Sequence, residues 1–428
     1  MAASGLSAPI AAHERIPAMD VIRGFALLGI LLMNIEGLVG PTNVALTGVD
    51  PALSGLDRWV DAGIYILVQG KFYALFSLLF GMGFAVMMSR AHDAGRPFVP
   101  VYLRRTFALL VIGLVHATLV WSGDILTSYA LLALLLLWLF RTTATSRLPW
   151  WGIALYVVPS LAVLGLGLLG SLMQLIPEVA TEFDKAMVEG ANDRMAQVEA
   201  QRRAYGSGSY LDATWQRGRD LVSMMGYLIL VGWQILGLFV LGGWFVRSGA
   251  IARPQTFPRL FANLRWLGLP IGLVLMLVSY YLMPAMDPGR LDFTSGAATA
   301  LTMLGSLLMS LGYLAWLVRG LQSPVMARAL AVLAPAGRMA LTNYLLQSLI
   351  CTWIFYGYGL GYFEGLSRAW QVPFVVAFFA AQLWLSRWWM ARFHFGPIEW
   401  LWRAVSYGKR PLMRQAGAVA KGEAGTVL

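Results

Sequence analysis

Charged side chains are scarce in this sequence of 428 residues. They make up 12% of it, whereas a soluble domain carries roughly a quarter. Hydrophobic residues account for 58%, and the mean hydropathy is +0.66. This shortage of charge argues against two or three soluble domains, the organisation that length alone would suggest. We therefore expect the lipid bilayer to be the solvent and the principal partner of the chain.

Residues that form disulfides or bind metals are also few. Cys351 is the single cysteine and lies within a hydrophobic run, so an intrachain disulfide and a thiolate metal cage are excluded. The four histidines show no metal-ligand spacing: His13, His92, His116 and His394. We expect no metal site.

Long apolar runs take the place of these missing groups. A helix needs roughly 20 mostly apolar residues, at ~1.5 Å rise each, to cross a ~30 Å hydrocarbon core. Such runs lie at about 22–40, 62–88, 104–121, 125–140, 150–175, 220–246, 265–284, 297–318, 338–356 and 371–390. None alternates as β-barrel strands do. The first is too long for a cleaved signal peptide and follows acidic as well as basic residues. The predicted fold is an all-α polytopic membrane bundle of about ten transmembrane helices.

The net charge of +11 has a topological explanation. Most Lys and Arg residues fall on alternate loops, which by the positive-inside rule are cytoplasmic. The distribution excludes a nucleic-acid partner and predicts both termini on the cytoplasmic side of a bacterial inner membrane. We expect five regions: a cytoplasmic tail, two five-helix membrane blocks separated by a periplasmic loop, and a second tail. Their predicted boundaries are 1–21, 22–175, 176–219, 220–390 and 391–428.

The 176–219 loop mixes acidic and basic residues, and its apolar residues recur at helical spacing. This pattern predicts an amphipathic helix at the membrane interface. A charged connector without a role of its own is the alternative.

Ionisable residues inside membrane spans are costly and mark candidate sites. His116, Lys71, Asn34 and Glu36 lie in the outer parts of predicted spans, and Asp124 follows in a tight hairpin. We expect His116 to act as a general base oriented by Asp124, with Lys71 or Asn34 stabilising an oxyanion. Glu36 and Asp124 are candidate counter-ions of Lys71. A structural ion pair and a hydrogen-bonded core histidine are the alternative.

Two further groups of polar residues are candidates for ligand binding. The first lies within the sixth and ninth spans and is a candidate substrate site: Gln234, Asn343, Tyr344 and Gln347. The second lies at the cytoplasmic face, where arginine could grip the phosphates of an acyl-coenzyme A donor. It consists of Asp20, Arg23, Arg104, Arg105, Arg338, Glu399 and Arg403. Positive-inside anchoring explains most of these arginines equally well.

Six short motifs follow one another over nearly the whole chain, at 19–35, 70–81, 113–116, 123–126, 337–344 and 396–403. They resemble motifs of the YeiB-like membrane proteins, the domain of unknown function 418. That family has no established reaction. Its first-helix pattern, here Asp20, Arg23 and Gly24, resembles the opening of transmembrane acyltransferases of the heparan glucosaminide N-acetyltransferase type. The resemblance implies transfer of an acyl group from cytoplasmic acyl-coenzyme A to an acceptor on the far side.

Those acyltransferases place a histidine near the outer end of the first hydrophobic helix. Here no histidine lies between His13 and His92, and our hypothesis is that His116 takes the catalytic role of that histidine. A transporter of a small anion or lipid-like molecule is the second hypothesis, and a structural or sensory subunit is the third. Sequence leaves the substrate and homodimer formation open.

Overall fold

The computed structural model describes residues 16–45, 47–287 and 289–415. Most of the expected N-terminal tail and the end of the expected C-terminal tail lie outside these residues. Within them the chain is helical, and β-structure is limited to two isolated bridges. The all-α prediction is confirmed.

The first half of the chain contributes six helices before a helical connector. These are α1 Pro17–Val39, α2 Gly55–Leu67, α3 Lys71–Asp93, α4 Phe98–Leu119, α5 Leu126–Phe140 and α6 Leu148–Met173. The connector is α7, Pro177–Gln201, which continues into a π-helical segment, Arg202–Ser207. The predicted loop therefore contains a helix of 25 residues, while its interfacial position stays a prediction.

The second half of the chain begins with the longest helix and ends with a short helix that packs against α4. Its helices are α8 Tyr210–Arg247, α9 Pro258–Asn263, α10 Leu269–Leu282, α11 Phe293–Leu321, α12 Pro324–Leu330, α13 Ala334–Arg338, α14 Ala340–Phe355, α15 Arg368–Met390 and α16 Pro397–Tyr407. Short 3₁₀ segments lie at Pro254–Thr256 and Ala331–Leu333, and a π segment lies at Leu264–Gly268.

Every predicted span consists mainly of helix, but the span predicted at 62–88 is divided between α2 and α3. Eight helical segments of the described chain are long and apolar enough to cross a membrane. A ninth is a pair, Pro324–Arg338 and Ala340–Phe355, bent by 73°. The predicted fourth span differs, because α5 has only 15 residues and reaches about 22 Å at ~1.5 Å per residue. Its N-terminus is therefore buried within the protein: Leu126, Thr127 and Ser128 are all buried.

Small residues let the central helices approach closely. A Cβ at Gly81 of α3 would lie 1.9 Å from the carbonyl oxygen of Phe239 on α8, and one at Gly242 would lie 2.0 Å from that of Leu78. Glycines that allow two backbones to touch are common where membrane helices cross. The crossing of α3 and α8 anchors the main hydrophobic core, which also includes α1 and α11.

Candidate functional site

A cavity of about 890 Å³ opens among α1, α3, α4, α14 and α16. Its size falls within the range of small-molecule and cofactor sites, ≈ 300–1,000 Å³. The start of α1, the end of α3 and the start of α14 all border its mouth. These are the ends that the loop charges predict to share one membrane face, so the geometry agrees with the predicted alternation of the helices.

The mouth of this cavity is rich in arginine. Its wall carries six arginines and three carboxylates, namely Arg23, Arg90, Arg96, Arg105, Arg338, Arg403, Asp20, Asp93 and Glu399. The excess of positive charge favours an anionic ligand, and guanidinium groups match the geometry of phosphate oxygens. We call these nine residues the arginine mouth.

Neighbouring side chains position several members of the arginine mouth. Arg105 stacks over the ring of Trp402 at 3.6 Å, whose indole N–H donates to the backbone oxygen of Arg105. Arg23 pairs with Asp20 at 3.1 Å. Arg403 lies over the ring of Phe395 at 4.7 Å. Six of the seven residues predicted to bind the donor line the cavity. Arg104 is the exception, because it faces away and is exposed.

Glu399 has a structural role in addition to its place in the wall. Its carboxylate accepts hydrogen bonds from the backbone N–H groups of Leu341 (2.7 Å) and Thr342 (3.0 Å), and from the Thr342 hydroxyl (2.5 Å). These N–H groups belong to the first turn of α14, where helix donors lack partners within the helix. Burial raises the pKa of Glu399, and the hydrogen bonds from Thr342 and Leu341 act in the opposite direction. Glu399 therefore caps α14 from the neighbouring α16.

Beyond the arginine mouth the cavity becomes apolar. One face of α3 lines it from Arg90 inward through Gly83 and Phe80 to Phe76. The 14 steps from Phe76 to Arg90 span about 21 Å at ~1.5 Å per residue, roughly two-thirds of a ~30 Å hydrocarbon core. The inner end is formed by Ile125, Leu126 and Tyr344 among others: Ile30, Leu109 and Tyr129. An amphiphile with an anionic head fits this arrangement.

A buried histidine–aspartate pair lies just behind that inner end. His116 Nδ1 and Asp124 Oδ1 are 2.8 Å apart, and the side chains are 2% and 0% exposed. The structure thus brings together these two predicted residues. The Asp124 carboxylate accepts a hydrogen bond from the Nδ1–H group, which leaves Nε2 as the basic nitrogen. Nε2 is buried without a hydrogen-bond partner, behind the cavity wall that Tyr344 lines.

The hairpin between α4 and α5 holds this pair in place. The indole N–H of Trp121 donates to the backbone oxygen of Gly37 on α1 at 3.1 Å. The second oxygen of Asp124 accepts the backbone N–H of Thr127, at 2.7 Å, in the first turn of α5. Tyr344 bridges the pair and the cavity: its ring centroid lies 5.3 Å from that of His116, and it lines the cavity wall.

Lys71 does not join the pair, and the prediction that Glu36 and Asp124 are its counter-ions is wrong. Its ammonium group donates to the backbone oxygen of Tyr65 at 3.0 Å and lies 3.3 Å from the sulfur of Met276. The sequence placed Lys71 at a suitable depth, but the helix turns its side chain toward α2 and α10. Depth follows from position along a helix, whereas the direction of a side chain depends on packing.

Glu36 also has a different partner from the one expected. Arg368 at the start of α15 binds it at 3.0 Å and binds Asp61 of α2 at 2.7 Å. Both contacts form a buried charge cluster at the end of the bundle remote from the arginine mouth. Asn34, half-buried on α1, does not line the cavity.

Three of the four predicted substrate-binding residues tie helices together instead. Gln234 on α8 donates to the Ser160 hydroxyl on α6 at 3.0 Å. Asn343 donates to Ser386 at 2.9 Å, and Gln347 donates to Gln382 at 2.8 Å, which joins α14 to α15. Polar side chains often link membrane helices in this way. Of the four, only Tyr344 lines the cavity.

Sequence reasoning missed several residues of the site. Arg90 and Arg96 were assigned only to topology, yet they line the arginine mouth with His394. The family-like motif at 396–403 includes neither Arg90 nor Arg96. The clustering of Arg90, Arg96 and Arg105 around one short loop was the available signal. Arg368 and Asp61, which form the separate charge cluster with Glu36, gave a weaker signal in the sequence. Each is a single charged residue near the end of a span.

Comparison with known proteins identifies relatives without a described activity. A family model described as "Protein of unknown function (DUF418)" matches residues 245–409. The uncharacterized protein YxaH of Bacillus subtilis (strain 168) is 32% identical over 416 residues, 93% of this chain and 96% of the relative. The uncharacterized protein YeiB of Escherichia coli (strain K12) is 32% identical over 404 residues, 92% of this chain and 96% of the relative. No solved structure matches the chain.

The helices define the class of protein: this is a multi-pass α-helical membrane protein. The chain belongs to the DUF418 family, because two relatives about one-third identical align with it nearly from end to end. The resemblance read from the motifs is thereby confirmed.

Proposed function

We propose that this protein is a membrane acyltransferase that uses an acyl-coenzyme A type of donor. The observation that carries the proposal is a single cavity that runs from the arginine mouth to the side of a buried His116–Asp124 pair. Ligand sites combine a mostly apolar wall with a few polar groups that fix orientation. A phosphorylated head would bind at the arginine mouth, and the arm bearing the acyl thioester would follow α3 inward.

The depth of the cavity supports transfer across the membrane. From the arginine mouth, the apolar wall extends about 21 Å along α3 at ~1.5 Å per residue, which is more than half of a ~30 Å hydrocarbon core. His116 lies three residues before the end of α4, at the end of the bundle opposite to the mouth. The donor would enter from the cytoplasm, where loop arginines are favoured, and the acceptor would approach from the periplasmic side of a bacterial inner membrane.

The proposed reaction uses the unpartnered nitrogen of His116. Nε2 takes the proton of an acceptor hydroxyl or amine as the acceptor atom bonds to the acyl carbonyl carbon. The carbon–sulfur bond then breaks, and the departing thiolate receives the proton from the histidinium. Asp124 keeps the ring in the required tautomer and stabilises its charged form, as an orienting carboxylate does in other oriented-base sites.

The proposal is tested with purified protein in detergent micelles and acetyl-, octanoyl- and palmitoyl-coenzyme A labelled in the acyl group. Release of free coenzyme A is followed with a thiol reagent, for which the protein gives little background because Cys351 is buried. We expect wild-type turnover and a loss of 10²-fold or more in His116→Ala, since a positioned base contributes about 10²–10⁴-fold. His92→Ala, at an exposed position outside the cavity, serves as the control.

Two outcomes would contradict the proposal. Turnover that survives in His116→Ala would exclude His116 as the base. Movement of an anionic or lipid-like solute across proteoliposomes without cleavage of any donor would favour the transporter hypothesis instead.

A further inference from the structure

An acyl transfer at His116 would need groups that stabilise negative charge on the carbonyl oxygen. Lys71 and Asn34 were the candidates, but Lys71 is engaged with Tyr65 and Met276 and Asn34 lies outside the cavity wall. Tyr344 lines the inner end of the cavity, as do Ile125 and Leu126 at the N-terminus of α5. Thr127 lies behind this wall, where its backbone N–H binds Asp124, the partner of His116.

The N-terminus of α5 is an unusual place for hydrogen-bond donors to remain unused. It is buried, and the hydroxyl oxygens of Thr127 and Ser128 have no hydrogen-bond partner. Buried polar groups are almost always satisfied, so each exception calls for an explanation. The N-terminus of a helix also carries positive dipole charge, which favours an anion. Here the Asp124 carboxylate already accepts one of its N–H groups, that of Thr127.

Packing places these groups beside the histidine. A Cβ at Gly113 of α4 would lie 2.5 Å from the backbone nitrogen of Thr127 and 2.8 Å from its hydroxyl oxygen. Gly113 and His116 are three residues apart and share one face of α4. Thr127 therefore lies against the same helix face as His116, and Asp124 binds both residues.

Tyr344 completes the group from the other side. It contacts the His116 ring and lines the cavity. Its hydroxyl oxygen accepts a long hydrogen bond, 3.4 Å, from the backbone N–H of Ile125. Because hydrogen bonds to N–H are normally 2.7–3.2 Å, this N–H is held weakly. The Tyr344 O–H proton is free to point into the cavity.

We infer, resting on the proposed function, that Tyr344 and the first turn of α5 form the oxyanion site of this protein. When the acceptor bonds to the acyl carbon, the carbonyl π electrons move to oxygen. The Tyr344 O–H and the Thr127 hydroxyl donate to that oxygen while the α5 dipole stabilises its charge. When the oxygen re-forms the double bond, the thiolate leaves, and the two donors return to their resting state unchanged.

The test replaces single hydroxyl groups and separates kcat from KM. Tyr344→Phe and Thr127→Val keep the size of the side chain but remove the donor. Loss of one oxyanion donor typically lowers kcat by about 10²–10³-fold, and we expect a fall in kcat of that order with KM for the acyl-coenzyme A probe nearly unchanged. Tyr156→Phe is the matched control: this tyrosine is also buried, but it does not line the cavity and its hydroxyl donates to the backbone oxygen of Met303.

Calorimetric binding of coenzyme A distinguishes a lost donor from a collapsed site, because Tyr344→Phe should bind it as the wild type does. If wild-type protein turns over, His116→Ala does not, and both Tyr344→Phe and Thr127→Val keep the wild-type kcat, this inference is wrong while the proposed function stands. If wild-type protein cleaves none of the three donors, the proposed function and this inference fall together.

Discussion

Arg368 shows how strongly a single residue can bind distant parts of this chain. Its side chain is 5% exposed and holds Glu36 and Asp61, whose side chains are 17% and 2% exposed. It also donates to Gln371 on its own helix. Asp61 in turn accepts the backbone N–H of Asp50. The arginine therefore connects α1, α2 and α15 at the end of the bundle remote from the arginine mouth.

Arg368→Met is expected to lower the free energy of unfolding by about 3–5 kcal/mol, because it leaves the buried Asp61 carboxylate and the mostly buried Glu36 carboxylate without their cation. Thermal unfolding in detergent measures the loss. Arg203→Met is the control, since Arg203 pairs with Glu199 at 3.9 Å where both side chains are largely exposed, and such pairs contribute about 0–1 kcal/mol. Equal melting temperatures for the two variants would contradict the prediction.

Between elements, the contact of α16 with α14 shapes the site. Glu399 satisfies the first turn of the helix that carries Tyr344, so the position of Tyr344 depends on a residue more than fifty positions later in the chain. The indole of Trp402 and the backbone of Arg105 join α16 to α4 in a similar way. The last described helix thus closes one wall of the arginine mouth.

Glu399→Ala should therefore affect stability and function together. Removing the carboxylate leaves the Leu341 and Thr342 N–H groups without their acceptor, at a cost of about 1–3 kcal/mol. Thermal unfolding should show that loss, and binding of coenzyme A should weaken as the wall loosens. Glu178→Ala, in the exposed first turn of α7, should change neither quantity. Unaltered stability in Glu399→Ala would show that the cap contributes nothing.

The sequence predicted the positions of the helices better than it predicted the partners of individual side chains. Runs such as 150–175 and 371–390 were located within a few residues, because apolar length is encoded locally. His116 and Asp124 were also paired correctly, since a tight hairpin limits where their side chains can go. The partner of Glu36 was missed, because Arg368 lies more than three hundred residues away and only tertiary packing brings them together.

At the scale of the whole molecule, the orientation in the membrane remains a prediction from loop charge. Cys351 is buried, so a single exposed cysteine can be introduced and labelled selectively. In intact cells, a membrane-impermeant maleimide should label Gly190→Cys on α7. It should label Ser146→Cys, in the loop between α5 and α6, only after permeabilisation. Both positions are exposed, and the reverse pattern would invert the assignment of the arginine mouth.

The buried inner end of the cavity has a consequence for bioenergetics. The cavity wall stops at residues such as Ile125 and Tyr344, and His116 and Trp121 behind them are 2% and 3% exposed. An acyl group transferred at this boundary would pass from the cytoplasmic to the periplasmic side as its bond to the donor is replaced by a bond to the acceptor. No water-filled path for ions would be needed. The free energy of the donor's thioester would drive the crossing, and the proton-motive force of the membrane would be neither consumed nor leaked.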